Sequence, residues 1–140
     1  MRKEPFDLKE VAMNNNPLKI DDIRIKVDLE YYYTYYNHLY FNDTLTPVDF
    51  IKLRWNHQLG VLAGMCIQDY KDTIIELNPI YLNFYPEEFA AIFVHEMIHL
   101  ITIDHDNRFL EEIERISKLG LEVTVNCNHN ISNLVLLDIE

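Results

Sequence analysis

An α+β fold follows from three features of this 140-residue sequence. Apolar residues recur every three or four positions between residues 20 and 41, three short β-rich segments lie between Phe50 and Leu77, and a nearly all-apolar helix opens at Glu87. They predict an N-terminal helix, a small three-stranded antiparallel sheet, a buried central helix and a following helix. The length suits a single domain with a real core. Residues 1–17 are polar, end in Asn14-Asn15-Asn16-Pro17 and show no sustained period, so they read as a flexible N-terminal arm, with the domain spanning 18–140.

Within the first helix, Ile20, Ile23, Val27, Tyr31, Tyr35 and Leu39 share one face. The tyrosines between Tyr31 and Tyr36 are spread around that helix, which predicts core plus a half-buried rim rather than a binding strip. A polar turn at Asn42-Asp43-Thr44 and then Pro47 end the helical pattern. Phe50 to Trp55 alternates as a strand does; Val61 to Gln68 and Thr73 to Leu77 read as the second and third strands, with Tyr70-Lys71-Asp72 as the turn between them. Asn78-Pro79 closes the sheet, and a short helical or loop segment runs from Ile80 to Tyr85. Pro86-Glu87-Glu88 is a helix opening, with proline in the first turn and acids at the positive end of the dipole. The helix it opens runs to about Ile101 and is apolar nearly all round, the mark of a buried element. Asn107 to Leu119 forms the next helix, with Phe109, Ile113 and Ile116 inside and Glu111, Glu112, Glu114 and Arg115 outside, stopping near Gly120. Val123, Val125 and the run from Leu134 to Ile139 predict one or two further short strands.

The net charge of −11 argues against nonspecific nucleic-acid binding, which needs clustered cations to displace counterions. The nearest thing to a basic cluster, Lys19, Arg24 and Lys26, reads as a solvated helix face. No apolar run approaches the ~18 residues of a membrane span, and the start lacks the apolar stretch of a signal peptide, so a soluble, cytoplasmic protein is expected. Cys66 and Cys127 make neither a disulfide framework nor a Cys-x-x-Cys pair and are expected to be buried or free thiols.

Three polar residues interrupt the buried helix: His95, Glu96 and His99. Residues four apart stack on one helical face, so both imidazoles reach one metal ion, while Glu96, rotated by about 100°, stands beside it. At this composition a His-Glu-x-x-His match arises by chance with a probability of about 0.02, but a chance match in a buried helix would cost several kcal/mol in unpaired polar groups. Imidazole nitrogen is a good zinc donor, and a catalytic site takes three protein ligands and leaves one position for water. Glu96 then suits general base catalysis on that water. The third ligand is expected from His105, six residues after His99 and just past the β-branched stretch Ile101-Thr102-Ile103, with Asp104 or Asp106 as alternatives. Either aspartate is equally suited to cap the next helix or to hydrogen-bond a ligating imidazole. Thr102 occupies the place that glycine takes in the metzincin form of this spacing. Spacing does not single out an oxyanion-stabilising donor among a Tyr, Arg108 and a further His.

Read together, these residues resemble the SprT-like metallopeptidases, which include the Spartan proteases and compact bacterial and phage relatives. The resemblance runs from about Leu39 to Ile116: Leu39-Tyr40-Phe41-Asn42 with Leu45, Trp55 with Leu59-Gly60, Ala63-Gly64-Met65-Cys66, Ile75-Glu76-Leu77-Asn78-Pro79, His95-Glu96-Met97-Ile98-His99, and His105 followed by Phe109. It implies a zincin-like core, Zn(II) held by His95, His99 and His105, Glu96 as the catalytic acid/base, and peptide hydrolysis on a specific protein partner, including one associated with DNA, in a bacterium or a phage-infected cell. The competing expectation is a catalytically weak, metal-containing adaptor or regulatory binding protein.

Overall fold

Asp28 sets the start of the main N-terminal helix. The computed structural model describes residues 22–131, and in it Asp28 is extended while its carboxylate accepts hydrogen bonds from the backbone N–H groups of Glu30 and Tyr31. The single helix expected over 20–41 is therefore two: a short α1 (Ile23–Lys26) and α2 (Leu29–Phe41), separated by extended residues at Val27 and Asp28. An N-cap aspartate inside an apolar period breaks the helix without disturbing the period. Asn42 and Asp43, both with left-handed φ (54° and 63°), end α2. Five of its tyrosines, Tyr32, Tyr33, Tyr35, Tyr36 and Tyr40, are buried and Tyr31 is half exposed, so the tyrosine run is core and rim.

After a 3₁₀ turn at Val48–Phe50 the chain forms β1 (Lys52–Trp55), β2 (Gly64–Gln68) and β3 (Thr73–Leu77), in the order β1-β3-β2. The sheet is mixed rather than antiparallel: β2 and β3 form a hairpin, while β1 runs parallel to β3 with Arg54 opposite Glu76. Alternation specifies which faces are buried but not strand direction. The connection through residues 56–63 carries β2 past the slot beside β1, and β3 returns into it. Being central, β3 is buried from Ile74 to Leu77, and its Glu76 is held by Arg54 Nε at 2.6 Å and Asn56 Nδ2 at 3.1 Å.

Asn78, fully buried, joins the sheet to the helices. Its side-chain oxygen caps α3 (Pro79–Phe84), while its amide donates to the carbonyls of Gly60 and Leu62. The loop leading into β2 is fixed by those two bonds. A 3₁₀ turn at Pro86–Glu88 then starts α4 (Phe89–Ile98), whose last turn tightens to i→i+3 bonds through Ile101. Phe89 and Phe93 pack among Tyr32, Tyr33, Tyr36 and Trp55, so α4 lies between the tyrosine face of α2 and the sheet. The last helix, α5 (Asn107–Lys118), is capped by Asp106, whose carboxylate accepts from Phe109 N.

Residues 121–131 form no helix or strand, contrary to the strand expected at Val123 and Val125; Val123 and Ile131 are isolated buried pegs along an otherwise irregular run. The expected arm at 1–17 and the stretch from Leu134 lie outside the described residues. Among the described residues no helix is long and apolar enough to cross a membrane.

Candidate metal centre and active-site cleft

The i, i+4 spacing on α4 aims His95 and His99 in one direction, and the turn after Ile101 brings His105 against them. His105 Nε2 lies 3.3 Å from His95 Nε2 and 3.2 Å from His99 Nε2. Nitrogen donors bound tetrahedrally at zinc distances of about 2.0–2.1 Å stand about 3.3 Å apart, so these spacings suit one zinc ion. Among the described residues this is the one group of three or more metal-ligating side chains close enough to share an ion.

The tautomers follow from the backbone. His95 Nδ1 lies 2.7 Å from the Thr124 carbonyl oxygen and His99 Nδ1 lies 3.0 Å from that of Thr102. A carbonyl only accepts, so both Nδ1 atoms carry the proton and both Nε2 atoms present lone pairs. A single N–H on His105 Nε2 could satisfy only one of them; a cation satisfies all three. Burial, with the neighbouring imidazoles His99 and His105, lowers the pKa of His95 to about 4, and His105 is lowered by the same causes, burial first and then His99. His95 and His105 are thus neutral at pH 7, the form that ligates. Phe109, fully buried, lies with its ring centre 4.6–5.0 Å from all three imidazole centres and closes the back of the cluster.

Glu96 points to the sheet side. It is 7% exposed, its Oε2 is 3.9 Å from His95 Nε2, and no protein group among the described residues donates a hydrogen bond to it. Burial pushes its carboxyl up to about 8. Gly64 on β2 leaves the room it needs: a Cβ there would sit 3.1 Å from Glu96 Cγ, 3.2 Å from its Oε2 and 3.2 Å from Leu77 Cδ2. Beside Glu96, the Cys66 thiol is pushed up to about 12 by burial and then by the carboxylate, so it stays protonated.

These shifts make metal-free stability depend on pH. Folded Glu96 keeps its proton from its ordinary 4.5 up to about 8, so folding takes up a proton in that window and stability falls as pH rises through it. His95 acts oppositely between about 4 and 6.5, where only the unfolded chain is protonated and stability rises with pH. The two oppose each other below pH 6.5, and Glu96 acts without that opposition above it. With chelator present, wild type is expected to lose thermal stability relative to Glu96→Gln as pH goes from 6.5 to 8, by a few degrees in Tm. Parallel melting curves for the two proteins across that range would contradict the burial assigned to Glu96.

The cluster opens into a cleft of about 490 Å³. Edge strand β2 forms one wall (Gly64, Met65, Cys66, Gln68), residues 124–128 the other, and α4 the floor. Leu62, Met65, Ile92, Ile103 and Val125 make much of the lining apolar. Asp104 and Asp106 lie outside the cluster: Asp106 caps α5 and accepts from the Thr102 hydroxyl at 3.0 Å, and Asp104 is exposed beside His105. Among the described residues, neither a tyrosine, Arg108 nor a fourth histidine lines the cleft. The contribution of Thr124 was not foreseeable, because a main-chain carbonyl carries no residue signature.

Residues 29–129 match the model of the SprT-like family, most of the chain and well beyond the motif itself. No curated protein matches the chain.

Proposed function

The chain belongs to the SprT-like family, and from that premise we propose that it is a zinc-dependent metallopeptidase cleaving peptide bonds in a specific protein partner. The observation that carries the reading is the convergence of three imidazole Nε2 atoms, on His95, His99 and His105, beside a buried carboxyl that accepts no hydrogen bond from any protein group among the described residues. In this reading those histidines hold Zn(II) and Glu96 is the acid/base. When bound, zinc supplies Lewis acidity, acidifying water and polarising a carbonyl. Glu96 takes the proton from the attacking water and returns it to the leaving amine. A dication nearby favours its ionised form, offsetting the rise that burial imposes. The Thr124 and Thr102 carbonyls hold the imidazoles in the ligating tautomer, and Phe109 keeps water from behind them.

The substrate follows from the walls. Edge strand β2 presents backbone groups to an extended peptide, and the apolar lining favours an apolar side chain next to the scissile bond. The net charge of −11 favours recognition of a protein, including one carried on DNA, over direct binding to DNA phosphates. Incubated with an unfolded protein, the zinc-loaded chain is expected to produce fragments whose new termini adjoin apolar residues, and chelator is expected to stop it. Bound zinc with no cleavage of unfolded protein or of a co-purified partner would favour the adaptor.

A further inference from the structure

We propose that His129 is a positioning residue for the metal centre: it clamps the irregular wall of the cleft onto the start of the metal-bearing helix, and so holds the Thr124 carbonyl against His95. The inference rests on the metallopeptidase reading of the site.

The wall has a precise task and little regular structure to perform it. Residues 121–131 belong to no helix or strand, yet Thr124 must hold its carbonyl oxygen 2.7 Å from His95 Nδ1, and residues 124–128 line the cleft. Between the buried pegs Val123 and Ile131, residues 126–130 are exposed. Apolar burial therefore fixes Val123, the half-buried Val125 and Ile131, and leaves residues 126–130 to be held by other contacts. The Thr124 hydroxyl donates to the Asn126 carbonyl at 2.7 Å, which shapes the wall locally without tying it to the body.

His129 supplies that tie. Its ring lies flat on Tyr85, with centroids 3.7 Å apart and planes 2° from parallel, and its Nε2 is 2.9 Å from Glu88 Oε2. Glu88 is itself held: Tyr81 donates its hydroxyl to Oε1 at 2.7 Å, and Asn128 Nδ2 reaches the same oxygen at 3.3 Å. Glu88 ends the 3₁₀ turn that opens α4, seven residues before His95. The clamp thus connects the segment that orients an imidazole to the helix that carries it. Tyr81 and Tyr85 come from α3 and its C-cap, so three consecutive elements meet at this one histidine.

Partners that orient a ligating imidazole commonly change metal affinity 10- to 100-fold when lost. The test measures zinc affinity by competition with a chromophoric chelator, and the visible spectrum of the cobalt(II) form, for wild type, His129→Ala, His129→Gln and Ile51→Val. Ile51 is buried just before β1 and serves as a stability control. His129→Ala is expected to weaken zinc binding about 10-fold or more and to alter the cobalt spectrum. His129→Gln, which keeps a donor for Glu88, is expected to recover much of the affinity, and Ile51→Val to bind zinc as wild type does. Unchanged affinity and spectrum in His129→Ala would overturn the proposal, as would an equal loss in Ile51→Val, since affinity would then report only the stability of the fold. A folded wild type with no zinc affinity would overturn the metal reading and this inference together, an outcome distinct from loss of the clamp effect alone.

Discussion

Glu96→Gln is expected to lower peptide hydrolysis by roughly 10²- to 10⁴-fold, the usual contribution of a positioned general base, with zinc still bound. Glutamine keeps the shape of the side chain in the space beside Gly64 and Leu77, so the loss should fall on kcat with little change in KM. The same substitution removes the buried ionisable carboxyl, so the variant should be no less stable than wild type at pH 8. Lower activity together with higher stability in one variant separates a catalytic carboxyl from a structural one. If Glu96→Gln instead cleaves as fast as wild type, proton transfer lies elsewhere.

The second large effect is expected at a residue with no side chain. Gly64→Ala introduces a methyl group 3.1–3.2 Å from Glu96 and Leu77, tighter than ordinary contact. Leu77 is fully buried and Asn78 fixes the approach of the loop, so neither wall yields easily and the Glu96 carboxylate is the group that moves. Overpacking of this kind costs about 1–3 kcal/mol, and a shift of about 1 Å in a catalytic group can cost about 10² in rate. Thermal melting together with steady-state kinetics checks both numbers. An alanine variant with wild-type activity would show that β2 gives way and that Gly64 does not position Glu96.

Much of this architecture is legible in the sequence because the relevant signals are local. The apolar run of α4 and its three polar interruptions fix a buried helix with a polar face, and the i, i+4 rule places His95 and His99 together. Asp106 was open between ligand, imidazole partner and cap, and its bond to Phe109 N makes it a cap. What escaped were features that depend on neighbours distant in sequence. The direction of β1 depends on where the 56–63 connection crosses, and the alternation of Phe50 to Trp55 is the same in either direction. Asp28 carried a readable N-cap signal, but it was masked by the longer apolar period around it. Thr124 acts through its backbone, and the role of His129 depends on Glu88, 41 positions earlier, so neither shows as a motif.

Zinc K-edge X-ray absorption on the purified chain, with metal content measured on the same sample, tests the metal centre most directly. One zinc per chain is expected, bound by three imidazole nitrogens at about 2.0–2.1 Å and one oxygen, with His105→Ala losing one imidazole from that shell. A folded chain without zinc, or zinc held by sulfur from Cys66 or Cys127, would contradict the assignment of His95, His99 and His105 as its ligands.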